Sequence, residues 1–170
     1  INRAADGAAG LAVSESMRTQ IRAYVVAERN ASDAISMTQT AEGALGEMHS
    51  ILGRLRELAM QGSNGSMTAT DRGYLSTEFS ALQAEMTRIQ ASSKFNGKSL
   101  LSATASSLTF QVGLNNTASD KVTLTFGGLG LTTLLAATTN LSGAGTTASL
   151  TALGRIDSAL ATISTSRARF

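Results

Sequence analysis

The sequence predicts a mainly α fold, an elongated rod-like bundle of long antiparallel helices with a small β-hairpin region, built as a single domain over 1–170. Three observations carry this reading. The 170 residues contain no proline, the residue that most often interrupts helices. Apolar residues recur at helical spacing through most of the chain. Two Asn-Gly pairs, at 64–65 and 96–97, punctuate it, and beyond the second the period switches from helical to alternating.

The first helix is expected over about 6–61. Leu11, Ile21, Val25, Ile35, Leu45, Met48, Leu52, Leu55 and Ala59 line one side, the last five stepping by three, four, three and four as a heptad seam does. At a rise of 1.5 Å per residue such a helix is roughly 80 Å long, so the body is expected to be elongated. Gly43, Gly46 and Gly53 lie inside it, each costing about 1 kcal/mol relative to alanine, and the helix is expected to tolerate a bend there.

"GSNGSMTAT" (62–70) is a turn cluster, with Thr70 before Asp71 as the expected cap of a second helix over about 71–91. Leu75, Phe79, Leu82, Met86 and Ile89 form its seam, and the short connection makes it antiparallel to the first. "KFNGKSLL" (94–101) opens a β-hairpin region over about 94–127, in which "LTFQVG" (108–113) and "KVTLTF" (121–126) alternate apolar and polar residues on either side of the polar loop "LNNTASD". Leu108, Phe110 and Val112 share one side with Val122, Leu124 and Phe126, a side that must lie on the helices because an isolated hairpin is marginal in water. The Gly-, Thr- and Ala-rich stretch 128–146 is expected to be a loop with a short helical turn. A third helix follows over about 147–170, with Leu150, Leu153, Ile156, Leu160 and Ile163 as its stripe.

Composition narrows the function. The 14 basic and 12 acidic residues are interspersed, and the net charge of +2 describes no phosphate-binding stripe, which argues against nucleic acid as a partner. Cysteine is absent, removing disulfides, thiolate metal sites and cysteine nucleophiles together. No apolar run is long enough to cross a bilayer, so no membrane partner is expected. His49 is the only histidine and reads as a surface or rim residue. The carboxylate pairs Glu42 with Glu47 and Glu78 with Glu85 are accompanied by Arg54, Arg56, Arg72 and Arg88, the pattern of a solvated helix face. No metal site, cofactor or catalysis is expected, and the chain reads as an excised fragment.

One feature exceeds what a single seam uses. At about 100° per residue, Glu47, Ile51, Arg54, Leu58 and Gln61 fall on a stripe rotated by roughly 80 to 160° from the first seam. Isolated exposed apolar residues, burial of Ile51 and Leu58 against the third helix, and a partner-binding strip with Leu58 as anchor and Arg54 and Gln61 as orienting groups all fit this spacing. Glu78, just off the seam of the second helix, lies along the rim of the same surface.

The segments "INRAADGAAGLAVSESMRTQI", "SDAISMTQTAEGALGEMHSILGRLRELAMQGSNG", "KFNGKSLL" and "LGRIDSALATISTSRARF" resemble, in order and over nearly the whole chain, bacterial flagellin. The resemblance implies the inner rod-like domain of a filament subunit, secreted to the extracellular flagellum and serving motility. It implies other flagellin subunits as partners, and it implies that this fragment, without the terminal polymerisation segments, is monomeric. It also implies that the outward strip serves subunit packing and, in the free monomer, recognition by a host's Toll-like receptor 5, with Arg54, Glu57, Leu58, Gln61 and Glu78 at the matching positions. Gly46, Gly53 and "MTATDRGYLSTEF" depart from the family's pattern. The rival reading is a flagellin-related surface module for carbohydrate, which needs an aromatic platform that the few Phe and Tyr residues do not supply.

Overall fold

A computed structural model describes residues 4–131, 141–142 and 146–170. The chain divides into two compact units, one of residues 1–36 with 108–124 and the other of 37–107 with 125–170. Helix α1 runs Ala4–Gly62, α2 Ala69–Ser92 and α3 Thr147–Arg167; strands β1 (Lys94–Phe95) and β2 (Lys98–Ser99) form one two-stranded sheet, and β3 (Ser106–Gln111) and β4 (Lys121–Phe126) another. The expected loop over 128–146 lies for the most part outside the described residues.

Local chemistry explains the boundaries. The cap of α2 lies two residues earlier than predicted. Thr68, not Thr70, accepts from the Asp71 N–H, while the Asp71 carboxylate accepts from the Thr68 N–H at 3.1 Å, a reciprocal capping box. β1 and β2 are antiparallel with Phe95 opposite Lys98, and both turn residues take left-handed backbone, Asn96 at φ 46° and Gly97 at φ 78°. That is the two-residue hairpin turn an Asn-Gly pair favours. The cross-strand contacts Ser107 with Thr125 and Thr109 with Thr123 put hydroxyls on one face of β3 and β4. Leu108, Phe110 and Leu124 are half-buried on the other face, as the alternation predicts, whereas Val122 is exposed.

In the first unit the predicted seam is corrected. Leu11, Ile21, Val25 and Ile35 are 44 to 64% exposed; the buried side carries Ala27 and Ala34. Asn30 Nδ2 donates to the Gln111 carbonyl at 2.9 Å, so the hairpin covers the side of α1 where small side chains permit close approach, and the large apolar residues sit away from it.

In the second unit Leu45, Met48, Leu52, Leu55 and Ala59 are fully buried as predicted, with Phe79, Met86 and Ile89 of α2. Leu75 and Leu82 are only half-buried. The stripe of α3 is also corrected. Ser149, Ala152, Ile156, Ala159 and Ile163 are buried while Leu150 is exposed and Leu153 and Leu160 are half-buried. The small residues allow α3 to approach its neighbour closely, and reading size as burial placed the stripe about one position off. Phe126 and Phe170 close this core, ring centroids 5.2 Å apart.

Candidate interaction surface on α1 and α2

Between residues 37 and 62, α1 has a neighbour on each side. On one side Arg54 Nε donates to Glu78 Oε1 of α2 at 2.8 Å; on the other Arg56 Nε donates to Asp157 Oδ1 of α3 at 2.8 Å, and Arg167 reaches Glu42 at 3.5 Å. A helix enclosed by two partners buries a wide arc. From Leu58 through Leu55, Leu52 and Met48 to Leu45 that arc is about 140° at 100° per residue. Leu58 is fully buried, and its predicted place on the outward strip is therefore corrected: it belongs to the core beneath the strip. Ile51 is half-buried on the same side.

The polar members of the strip do reach the surface together. Arg54 donates to Glu78 and, through its NH1, to Glu57 Oε2 at 2.8 Å, with side chains 48%, 44% and 68% exposed. These two carboxylate bonds, Glu78 the stronger influence, hold the Arg54 guanidinium even more firmly protonated than an ordinary arginine. Gln61 is exposed one turn beyond Glu57. Two of the five N–H donors of Arg54 make these bonds, so the surface offers guanidinium N–H groups together with the remaining lone pairs of Glu57 and Glu78 and the amide of Gln61. Such a surface suits a partner presenting both hydrogen-bond donors and acceptors.

Sequence reasoning missed the residue that sets the end of this strip. Arg72, predicted on a solvated face, is 6% exposed; its Nε donates to the Gly62 carbonyl at 3.1 Å and its Nη2 to the Asn64 carbonyl at 3.1 Å. A cation at the C-terminus of α1 satisfies carbonyls left open where the helix stops and complements its dipole. The available signal was position, because Arg72 lies one turn past the cap of α2 and beside the turn. The other flagged charges behave as expected of solvated faces: His49 is exposed, and Arg88 pairs with Glu85 at 2.6 Å, which holds that carboxyl below its ordinary value. Among the described residues no three His, Cys, Asp or Glu side chains converge, and no helix is long and apolar enough to cross a membrane.

Residues 1–106 match the family described as the bacterial flagellin N-terminal helical region. A flagellin of Halalkalibacterium halodurans is 52% identical over 116 residues, 68% of this chain and 43% of that protein. The B-type flagellin of Pseudomonas aeruginosa is 49% identical over 115 residues, 68% of this chain and 24% of that protein. The flagellar filament core protein flaB2 of Brachyspira hyodysenteriae is 42% identical across 98% of this chain and 62% of its own length. Each relative is thus spanned over less than two thirds of its length. Among solved structures, the crystal structure of Bacillus cereus flagellin superposes with a TM-score of 0.69 at 34% identity, covering 82% of this chain and 79% of that one.

Proposed function

The chain belongs to the bacterial flagellin family, and from that premise we propose that it is the helical core of a filament subunit, a structural protein secreted to the extracellular flagellum and acting by packing against copies of itself rather than by catalysis. The observation that carries this reading is the continuous match of 1–106 to the flagellin N-terminal helical region, together with the ordered helix, hairpin and helix succession on one chain. A full-length protein containing this stretch, expressed in a bacterium lacking its own flagellin, restores filaments seen by electron microscopy and restores swimming. Secretion of the protein without any filament overturns the proposal.

The same reading assigns the surface of Arg54, Glu57, Gln61 and Glu78 to partner contact: neighbouring subunits within the filament and Toll-like receptor 5 for the free monomer. The polar groups converge on one face of α1 and α2, and Leu58 supports that face from beneath. In a receptor-reporter cell assay, Arg54→Ala, Gln61→Ala and Glu78→Ala each lower activation while helix content by circular dichroism stays unchanged. Full activation by all three variants removes this surface from the interface.

A further inference from the structure

We propose that the loop joining α1 and α2 carries a self-modification site, in which Asn64 deamidates through attack by the Gly65 backbone nitrogen while the second Asn-Gly pair, Asn96-Gly97, is protected by its hairpin. The Asn64 side-chain carbonyl accepts two hydrogen bonds, from the Ser66 N–H and the Ser66 hydroxyl, both at 3.0 Å. These donors point at the oxygen on which negative charge develops when a nucleophile adds to Cγ, the arrangement that stabilises a tetrahedral intermediate. Gly65 is exposed and its N–H donates to no acceptor among the described residues.

The chemistry balances with solvent alone. The Gly65 nitrogen bonds to Asn64 Cγ, the Cγ–Nδ2 bond breaks, and ammonia leaves, the proton of the Gly65 N–H going with it. Water then adds to either carbonyl of the resulting succinimide. One opening restores the normal backbone as aspartate, and the other routes the backbone through the side chain as isoaspartate. Neither step needs an oxidant or a reductant.

Asn96 has the same neighbour in a different setting. Its φ of 46° and the 78° of Gly97 form the turn of a paired ladder, with Phe95 opposite Lys98 and the Leu100 N–H bonded to the Ser93 carbonyl at 2.9 Å. Leu100 and Leu101, directly beyond, are fully buried. Ring closure at Asn96 has to reshape a turn clamped between paired strands, whereas at Asn64 it reshapes an exposed loop in which the Asn64 carbonyl accepts from the Met67 N–H at 3.3 Å. The product at 64 lies beside Arg72, which donates to the Asn64 carbonyl, so isoaspartate displaces an acceptor that Arg72 uses.

The chain, incubated folded at mildly alkaline pH in ammonium-free buffer, is mapped by peptide mass spectrometry, with isoaspartyl methyltransferase labelling as a second readout. Asn64 converts at least about tenfold faster than Asn96, and the two rates converge when the chain is unfolded in denaturant. Ser66→Ala, which keeps the Asn-Gly pair, slows conversion at 64 in the folded chain only. Equal or faster conversion at Asn96 in the folded chain overturns the proposal. So does an intact amide at 64 under conditions in which the unfolded chain converts.

Discussion

Arg54 and Leu58 sit one turn apart on α1 yet end in opposite environments, Arg54 half-exposed and ion-paired to Glu78 at 2.8 Å, Leu58 sealed from solvent. Truncation therefore separates them. Leu58→Ala destabilises the chain by about 2 to 5 kcal/mol, comparable to Leu55→Ala, because it opens a cavity in a packed core. Arg54→Ala leaves the denaturation midpoint close to that of the unaltered chain, since its ion pairs are solvent-screened. Urea unfolding followed by circular dichroism checks both.

Gly62 and Ser149 meet where α1 ends. A Cβ at Gly62 would lie 2.7 Å from Ser149 Oγ, a fully buried hydroxyl without a hydrogen-bond partner among the described residues. Gly62→Ala is expected to be more favourable in a Ser149→Ala background than alone, by about 1 kcal/mol of coupling. Gly43→Ala, where the added methyl meets nothing within 4 Å, instead stabilises α1 by up to about 1 kcal/mol. A double-mutant cycle from unfolding curves measures the first effect and a single curve the second.

The capping box of α2 makes its N-terminus acid-sensitive. Hydrogen bonds from the Thr68 hydroxyl, and then from its N–H, hold the Asp71 carboxyl below its ordinary value. A group depressed in the folded state contributes stability at pH above its unfolded value and loses it as pH falls through the folded one, here below about pH 4. Asp71→Asn therefore gives a shallower loss of stability on acidification, read from thermal midpoints across pH 2 to 7. Thr68→Ala costs about 1 kcal/mol at neutral pH.

Arg72 works through geometry as well as charge. With two carbonyls accepting from its buried guanidinium, Arg72→Ala costs about 2 to 3 kcal/mol, within the range for hydrogen bonds to charged groups plus lost packing. Arg72→Lys recovers only part of this, because an ammonium does not reproduce the planar fork. Unfolding midpoints of the two variants rank accordingly.

Much of the fold was legible in residue spacing. Period and punctuation located α1, α2, α3, the β3–β4 hairpin and the Asn96-Gly97 turn, because backbone dihedrals respond to neighbours a few residues away, although the cap of α2 is Thr68 rather than Thr70 and the turn proved to join paired strands β1 and β2. Arg54 and Gln61 of the candidate surface were legible for the same reason, since they recur at helical spacing, whereas Glu57 entered through the family resemblance. Only the tertiary structure decided which faces are covered. Leu58 is buried because α2 and α3 flank α1 on different sides; Leu11, Ile21, Val25 and Ile35 are exposed despite their size; and Arg72 is buried despite its charge. Periodicity states where side chains point relative to one another, while burial depends on how many neighbours arrive and from which direction, and those neighbours come from segments distant in the chain.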